Sequence, residues 1–286
     1  MIPKLGFSLQ SKYDRPIGDV VALLKTNGFS AVSPVWTPEL DLPMLAECVA
    51  RQGMTIQSLH APLKNFFLIW QPDAPGSSEV QKNVMASLNA CAAFGIPILV
   101  VHSWQGLNYT FPKTPLDFRF FDKLVDEAER KGISIAFENL EGEEYLEALL
   151  TRYQDKPHVG YCWDPGHDHC YPHKTAYLEQ YGHRLMMTHI NDNFGLRDPG
   201  GVPSGKDDLH FLPHDGNIDW QTELKRLAKS APQQTLNFEI KVVSKSSDYN
   251  DLIYTRLSLE EFMEHAGKVA RQFAERYDAL IREVPL

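Results

Sequence analysis

KGISIAFENLEG, residues 131–142, carries the pattern that decides the fold. Gly132 sits where a helix C-terminus should be, the short β-branched and aromatic run ISIAFE (133–138) follows it, and the run finishes in a carboxylate. The same unit recurs along the chain as LGFSL (5–9), FSAVSPV (29–35), MTIQSLH (54–60), PILVVH (97–102), VGYCWD (159–164), LMMTHI (185–190) and TLNFEI (235–240), which makes eight candidate strands. Amphipathic stretches separate them, and Gly28, Gly53 and Gly95 repeat the stop signal before a strand. Thr114-Pro115 with Asp117 resembles a capped first turn, and Ser258 followed by Glu261 resembles a capping box. Eight strand-plus-helix units of roughly 36 residues fill the chain, so one α/β domain, a (β/α)₈ TIM barrel over residues 1–286, is expected. No Gly-rich phosphate loop follows the first strand, which leaves an open doubly wound sheet without support.

Composition narrows the class. With 43% hydrophobic and 23% charged residues, the chain reads as globular rather than disordered or fibrous. It opens MIPKLGFSLQ without a basic segment leading into a long apolar one, and no membrane-length apolar window occurs, so a cytoplasmic protein without a membrane partner is expected. Cys48, Cys91, Cys162 and Cys170 form no CxxC pair and read as small buried thiols. A net charge of −9, and mouth loops such as WTPELDLP and PGHDHCYPHK that hold few bases, argue against a nucleic-acid partner.

Most of the apolar runs finish in a residue able to bind metal: His60, His102, Glu138, Asp164, His189 and Glu239. A barrel gathers the C-terminal ends of its strands around one mouth, which is where barrel enzymes place their chemistry. Alternation along a strand would turn Ser134, Ala136 and Glu138 inward, and likewise Thr235, Asn237 and Glu239. Several carboxylates brought together at apolar strand ends are most simply stabilised by a divalent cation, although a salt bridge to a neighbour such as Lys241 would serve either glutamate singly. For His60 and His102, hydrogen bonding to backbone in the top layer of the barrel fits as well as metal ligation. In WDPGH (163–167) a Pro-Gly turn would bring His167 back over the end of its strand. In DDLHFLPHDGNIDW (207–220), Asp208 and His210 would share a face of an extended segment, and the HDGN turn would lead into a helix near Asp219. Mixed carboxylate and imidazole donors suit Mn²⁺, Zn²⁺, Co²⁺ or Fe²⁺ better than Mg²⁺, and no motif calls for an organic cofactor.

Taken in order, SLHAP, VVHSW, FENLEG, WDPGH, THINDN, DLHFLPHDGNIDW and NFEIK resemble the xylose isomerase-like barrel superfamily, which includes sugar isomerases and epimerases and, as relatives, the apurinic endonucleases of the endonuclease IV type. The resemblance implies that Glu138, Asp164, His189 and Glu239 are the metal ligands of the ketose epimerase branch and that the two glutamates exchange the substrate proton. It implies that His167 contacts a substrate oxygen and that Arg197 is the nearest match to a substrate-binding arginine. His60, His102, Asp208 and His210 match additional ligands of the endonuclease branch, or else bind substrate hydroxyls. Phe7, Trp36 and Trp104 are candidates for an apolar wall beside the sugar, with Trp104 taken as substrate-binding; core packing suits each equally. The reading that follows is isomerisation or epimerisation of a small sugar through an enediolate. A metal-dependent phosphodiesterase, a sugar-acid dehydratase and a non-catalytic sugar-binding barrel are the alternatives, and homo-oligomerisation is left open.

Overall fold

The computed structural model of the chain describes all residues except 11–12, 108, 114, 172, 199, 243–253, 255 and 284–286. Every expected strand is present: β1 (Lys4–Leu9), β2 (Ala31–Pro34), β3 (Thr55–Ile56), β4 (Ser58–His60), β5 (Ile98–His102), β6 (Ser134–Glu138), β7 (Val159–Trp163), β8 (Leu185–Thr188) and β9 (Thr235–Phe238). The third expected strand is divided in two at Gln57. Its first part pairs with β2, its second part pairs with β5, and the Gln57 amide donates to Val32 O at the changeover (2.9 Å).

All the strand pairs are parallel and form two sheets, β3-β2-β1-β9 and β4-β5-β6-β7-β8. Single bridges join the sheets into a ring, Val35 with His60 on one side and Ile190 with Phe238 on the other. Helices α1 (Ile17–Thr26), α2 (Leu42–Arg51), α3 (Ser77–Phe94), α4 (Arg119–Lys131), α5 (Glu143–Arg152), α6 (Pro165–Cys170), α7 (Tyr177–Tyr181), α8 (Trp220–Ala228) and α9 (Leu259–Glu283) lie between and after the strands. Gly95 and Gly132 close α3 and α4 in the left-handed conformation, which a side chain would strain. Ser258 and Glu261 form the expected capping box at the start of α9 (Ser258 N to Glu261 Oε2 2.8 Å, Glu261 N to Ser258 Oγ 3.2 Å). The cap expected at Thr114 lies outside the described residues; α4 begins at Arg119, whose amide donates to Asp117 (3.0 Å).

Period-two alternation sorts the strand residues into two cores. Leu99, Val101, Ile135, Phe137, Tyr161 and Trp163 face outward and pack under the helices. Val100, Ala136, Cys162 and Met187 form a separate small cluster in the barrel lumen. The residue two positions further along each of these strands is His102, Glu138, Asp164 or His189, so the lumen's polar layer rests directly on that apolar plug.

Candidate metal centre

The strand ends bring one donor atom each from Glu138, Asp164, His189 and Glu239 within 4.8 Å of one another; His60 joins Glu138 and His189 in the same way, and His167, Asp208 and His210 form a neighbouring group. Glu138 is the hub. Its Oε2 lies 3.0 Å from His60 Nε2 and 3.0 Å from His102 Nε2, and its Oε1 lies 2.9 Å from His189 Nδ1. His189 Nδ1 also stands 3.0 Å from Glu239 Oε2, so one imidazole nitrogen faces both glutamates. The Glu138 side chain is 1% exposed and that of Glu239 19%, which places the second glutamate toward the open side.

The hydrogen-bond pattern tests whether these residues fit a cation. His60, His167 and His210 each donate Nδ1–H to a main-chain carbonyl, of Ala61 (2.7 Å), Asn139 (2.8 Å) and Glu239 (2.9 Å). That bond occupies Nδ1 and turns Nε2 into the cluster. There Nε2 meets a carboxylate oxygen, on Glu138 for His60 (3.0 Å) and on Asp208 for His210 (2.9 Å) and His167 (3.7 Å). A positive charge holds such a nitrogen and oxygen together, a proton on the ring or a cation shared by both, and as donors they suit a divalent ion of intermediate softness. The residues present therefore fit such an ion.

Electrostatics agree. Burial opposes the charge on Glu138, yet His189 and His102 outweigh it and hold the carboxyl well below the usual range. Burial likewise disfavours the His189 cation, but Cys162, Glu138 and Glu239 lift it well above the ordinary imidazole value. Burial pushes Asp164 up to about 7, while His167 is raised to about 10 because Asp164 and Asp208 overcome its own burial. His102 and His210 are lowered by burial. Groups driven this far apart in one pocket are the raw material of acid–base chemistry.

Local sequence explains the placement. WDPGH forms the start of helix α6 rather than an isolated turn: Pro165 occupies the first helical position, where its missing N–H costs nothing, and Asp164 caps the helix by accepting His167 N–H (2.9 Å). His167 still reaches the strand end. The segment at Asp208 and His210 is not extended, since His210 adopts φ 54°, yet the two side chains meet at 2.9 Å. Asp192 ties that segment down by accepting from the amides of His214 (2.9 Å) and Ile218 (3.2 Å) and from Trp220 Nε1 (2.7 Å), and α8 starts at Trp220 with Asp219 as its cap. Trp104 is buried two residues beyond His102 and stacks on Tyr145 at 4.3 Å; Arg197 is exposed in the loop after β8, its amide held by Asp207 (3.2 Å). Phe7 belongs to the core, edge-on to Phe29.

Sequence reasoning missed the residues that hold Asp164. Asn191 Nδ2 donates to both of its carboxylate oxygens (2.9 and 2.8 Å). Asn139 accepts Asp164 N–H (2.8 Å) and Tyr161 O–H (2.9 Å) and donates to Asp164 O (2.7 Å) and Asp168 Oδ1 (2.7 Å), so it uses its whole amide. A Cβ on Gly166 would stand 1.9 Å from Asn191 Oδ1, so that glycine is there for close approach. Their only signal in the sequence was position, immediately after the strand ends in FENLEG and THINDN and within WDPGH.

The model of the xylose isomerase-like TIM barrel family matches residues 21–260. The uncharacterised protein y4fM of Sinorhizobium fredii is 30% identical over 303 residues, covering 89% of this chain and 92% of the relative. Among solved structures, the IOLI protein with a bound zinc atom has a TM-score of 0.70 at 18% identity, covering 98% of each chain. D-allulose 3-epimerase from Methylomonas sp. has a TM-score of 0.69 at 16% identity, covering 96% of this chain and 98% of its own. The lumen-facing donors, the parallel strands that carry them and the match over residues 21–260 agree: this chain belongs to the xylose isomerase-like TIM barrel family.

Proposed function

We propose that this chain is a metal-dependent isomerase or epimerase of a small sugar or sugar derivative. One observation carries the reading: Glu138 and Glu239 approach the same His189 nitrogen at 2.9 and 3.0 Å from different strands, so two carboxylates face one small volume. Moving a proton on the carbon beside a carbonyl needs a base to remove it and a second group to return it, and two glutamates on different sides supply both. Glu138, enclosed and held anionic, and Glu239, open toward solvent, fill those roles. A divalent ion such as Mn²⁺, Zn²⁺ or Co²⁺ would be held by Glu138, Asp164, His189 and Glu239 and would supply Lewis acidity toward the developing oxyanion. The cluster of His167, Asp208 and His210 would orient substrate hydroxyls or hold a second cation. The zinc in the IOLI structure and the D-allulose 3-epimerase fold likeness support this reading.

The same reading takes residues 1–286 as one domain, since β1 near the start of the chain pairs with β9 near its end. The neighbouring donor group favours, as a second reading, a phosphodiesterase that uses several metals. Incubating the metal-loaded protein with a panel of ketoses and keto-acids in D₂O is the deciding experiment. Deuterium on the carbon beside the carbonyl is expected, and turnover without solvent label would overturn proton exchange between the glutamates.

A further inference from the structure

The segments that follow β4, β5 and β6 enclose a cavity of about 560 Å³ walled by Phe67, Trp70, Trp104, Tyr109 and Tyr145, with Gln105 as a polar member. None of the metal-centre residues lines it, yet it is built from the continuations of the strands that end in His60, His102 and Glu138. Trp104 is two residues beyond His102, and two residues of chain span at most about 7 Å. The cavity thus lies at the same end of the barrel as the polar cluster.

Its walls are organised. Trp104 and Tyr145 are stacked at 4.3 Å with an interplanar angle of 8°, and Trp70 leans on Tyr145 at 5.0 Å. Gly142, at φ 84°, makes room for this stack, because a Cβ there would stand 2.7 Å from Trp104 Cβ. Tyr109 O–H donates to Glu144 (2.5 Å), which fixes that ring against Trp104 at 5.2 Å. Gln105 Oε1 accepts Phe66 N–H (3.3 Å) and joins the two loops. Phe67 and Tyr109 stay half-buried, so two rings keep surface available for a ligand. Five aromatic rings with Leu116 and two prolines, and with Gln71, Gln105, Thr110 and Asp117 as polar groups, give this volume the lining of a small-molecule site, and flat rings favour partners that present an apolar face.

We propose that this cavity is a substrate subsite for a ring with an apolar face, a second sugar or an aryl group carried on the reacting sugar, so that the substrate is a conjugate rather than a free monosaccharide. The inference rests on the sugar-isomerising reading for the identity of the reacting part. Isothermal titration of the full-length protein with the 6-O-methyl, 6-O-phenyl and 6-O-glucosyl derivatives of one hexulose, whose carbonyl stays free, tests it. The phenyl or the glucosyl derivative is expected to bind at least about tenfold more tightly than the methyl one, and whichever gains more identifies the occupant. Phe67→Ala, which removes a wall, and Leu116→Trp, which fills the space, should each shrink the ratio to within about twofold. Equal affinity for all three derivatives, or a ratio unchanged in both variants, overturns the subsite. A preference without solvent-proton exchange on any sugar would leave the subsite standing and bring down the isomerase reading, whereas exchange on free sugars without preference does the reverse.

Discussion

The five-stranded sheet β4–β8 ends in His60, His102, Glu138, Asp164 and His189, whereas the four-stranded sheet β3-β2-β1-β9 leads to Glu239 alone and otherwise runs out into Gln10 and Val35. Beyond β1 and β2 lies a cavity of about 520 Å³ lined by Leu9, Tyr13, Pro34, Leu40 and Leu45 among others. Both arcs thus carry a cavity, but one ends in five metal-binding side chains and the other in a single carboxylate. Glu138 is hemmed in by His60, His102 and His189, while Glu239 keeps 19% of its side chain exposed.

The sharpest way to break the contrast is to neutralise one glutamate at a time. If both arcs share the chemistry, Glu138→Gln and Glu239→Gln each reduce solvent-proton exchange by about 10²–10⁴-fold with the circular dichroism spectrum retained. Glu138→Gln should also melt at a lower temperature than Glu239→Gln, because it strips the charged partner from His60, His102 and His189 together. Parental exchange in Glu239→Gln would confine the chemistry to the five-stranded arc.

A smaller effect is expected from the supports of Asp164. Asn139→Ala removes the amide that grips Asp164 from both sides, and Gly166→Ala drives a methyl into Asn191. Each should weaken metal affinity by about 10–100-fold in a chelator competition. An unchanged affinity in both would show that Asp164 needs no such support.

The strands were legible because an apolar run ending in His, Asp or Glu is a rare local pattern, and ISIAFE and TLNFEI declared their inward faces by alternation alone. The division of the third strand was not legible, since the switch at Gln57 depends on which neighbours β2 and β5 offer. Asn139 and Asn191 read as ordinary loop residues, because their value lies in hydrogen bonds to Asp164 across strands that sequence does not pair. Pro165 and Gly166 advertised a turn, whereas Pro165 opens a helix and Gly166 yields space to a side chain 25 positions away in sequence. His210 at φ 54° defied the extended reading for the same reason, a local choice overruled by its contacts with Glu239 and Asp208.

On the outer surface the effects shrink further. Asp122 accepts both Nε and Nη2 of Arg152 (2.7 Å each) and the Tyr153 hydroxyl (2.8 Å), and the Arg152 guanidinium holds its carboxyl below the usual range. The pair is well exposed, so Asp122→Asn should cost less than about 1 kcal/mol at neutral pH in urea denaturation. A lowered folded pKa contributes stability above the unfolded value, near 4, and loses it as the pH falls further. The gap between parent and variant should therefore close in acid, and a gap that widens would contradict the ion pair. The smallest expected effect is none: an abasic DNA duplex at low salt should be neither retarded nor cut, given 28 Lys plus Arg against 37 Asp plus Glu. Metal-dependent incision would instead favour the phosphodiesterase reading.

The two bridges that close the barrel make it a ring of two stiff arcs with two latches. The latches include Trp36 N–H to His60 O (2.8 Å) on one side, and on the other Ile190 N–H to Asn237 O (2.8 Å), Glu239 N–H to Ile190 O (3.0 Å) and the Thr188 hydroxyl, which accepts Asn237 N–H (3.0 Å). Parting β5 from β6 would break a continuous ladder of five residue pairs, whereas each latch holds few hydrogen bonds. Both latches sit at the height of the polar cluster, one at His60 and one between His189 and Glu239. A motion that parted the two arcs would therefore widen the gap between the two glutamates.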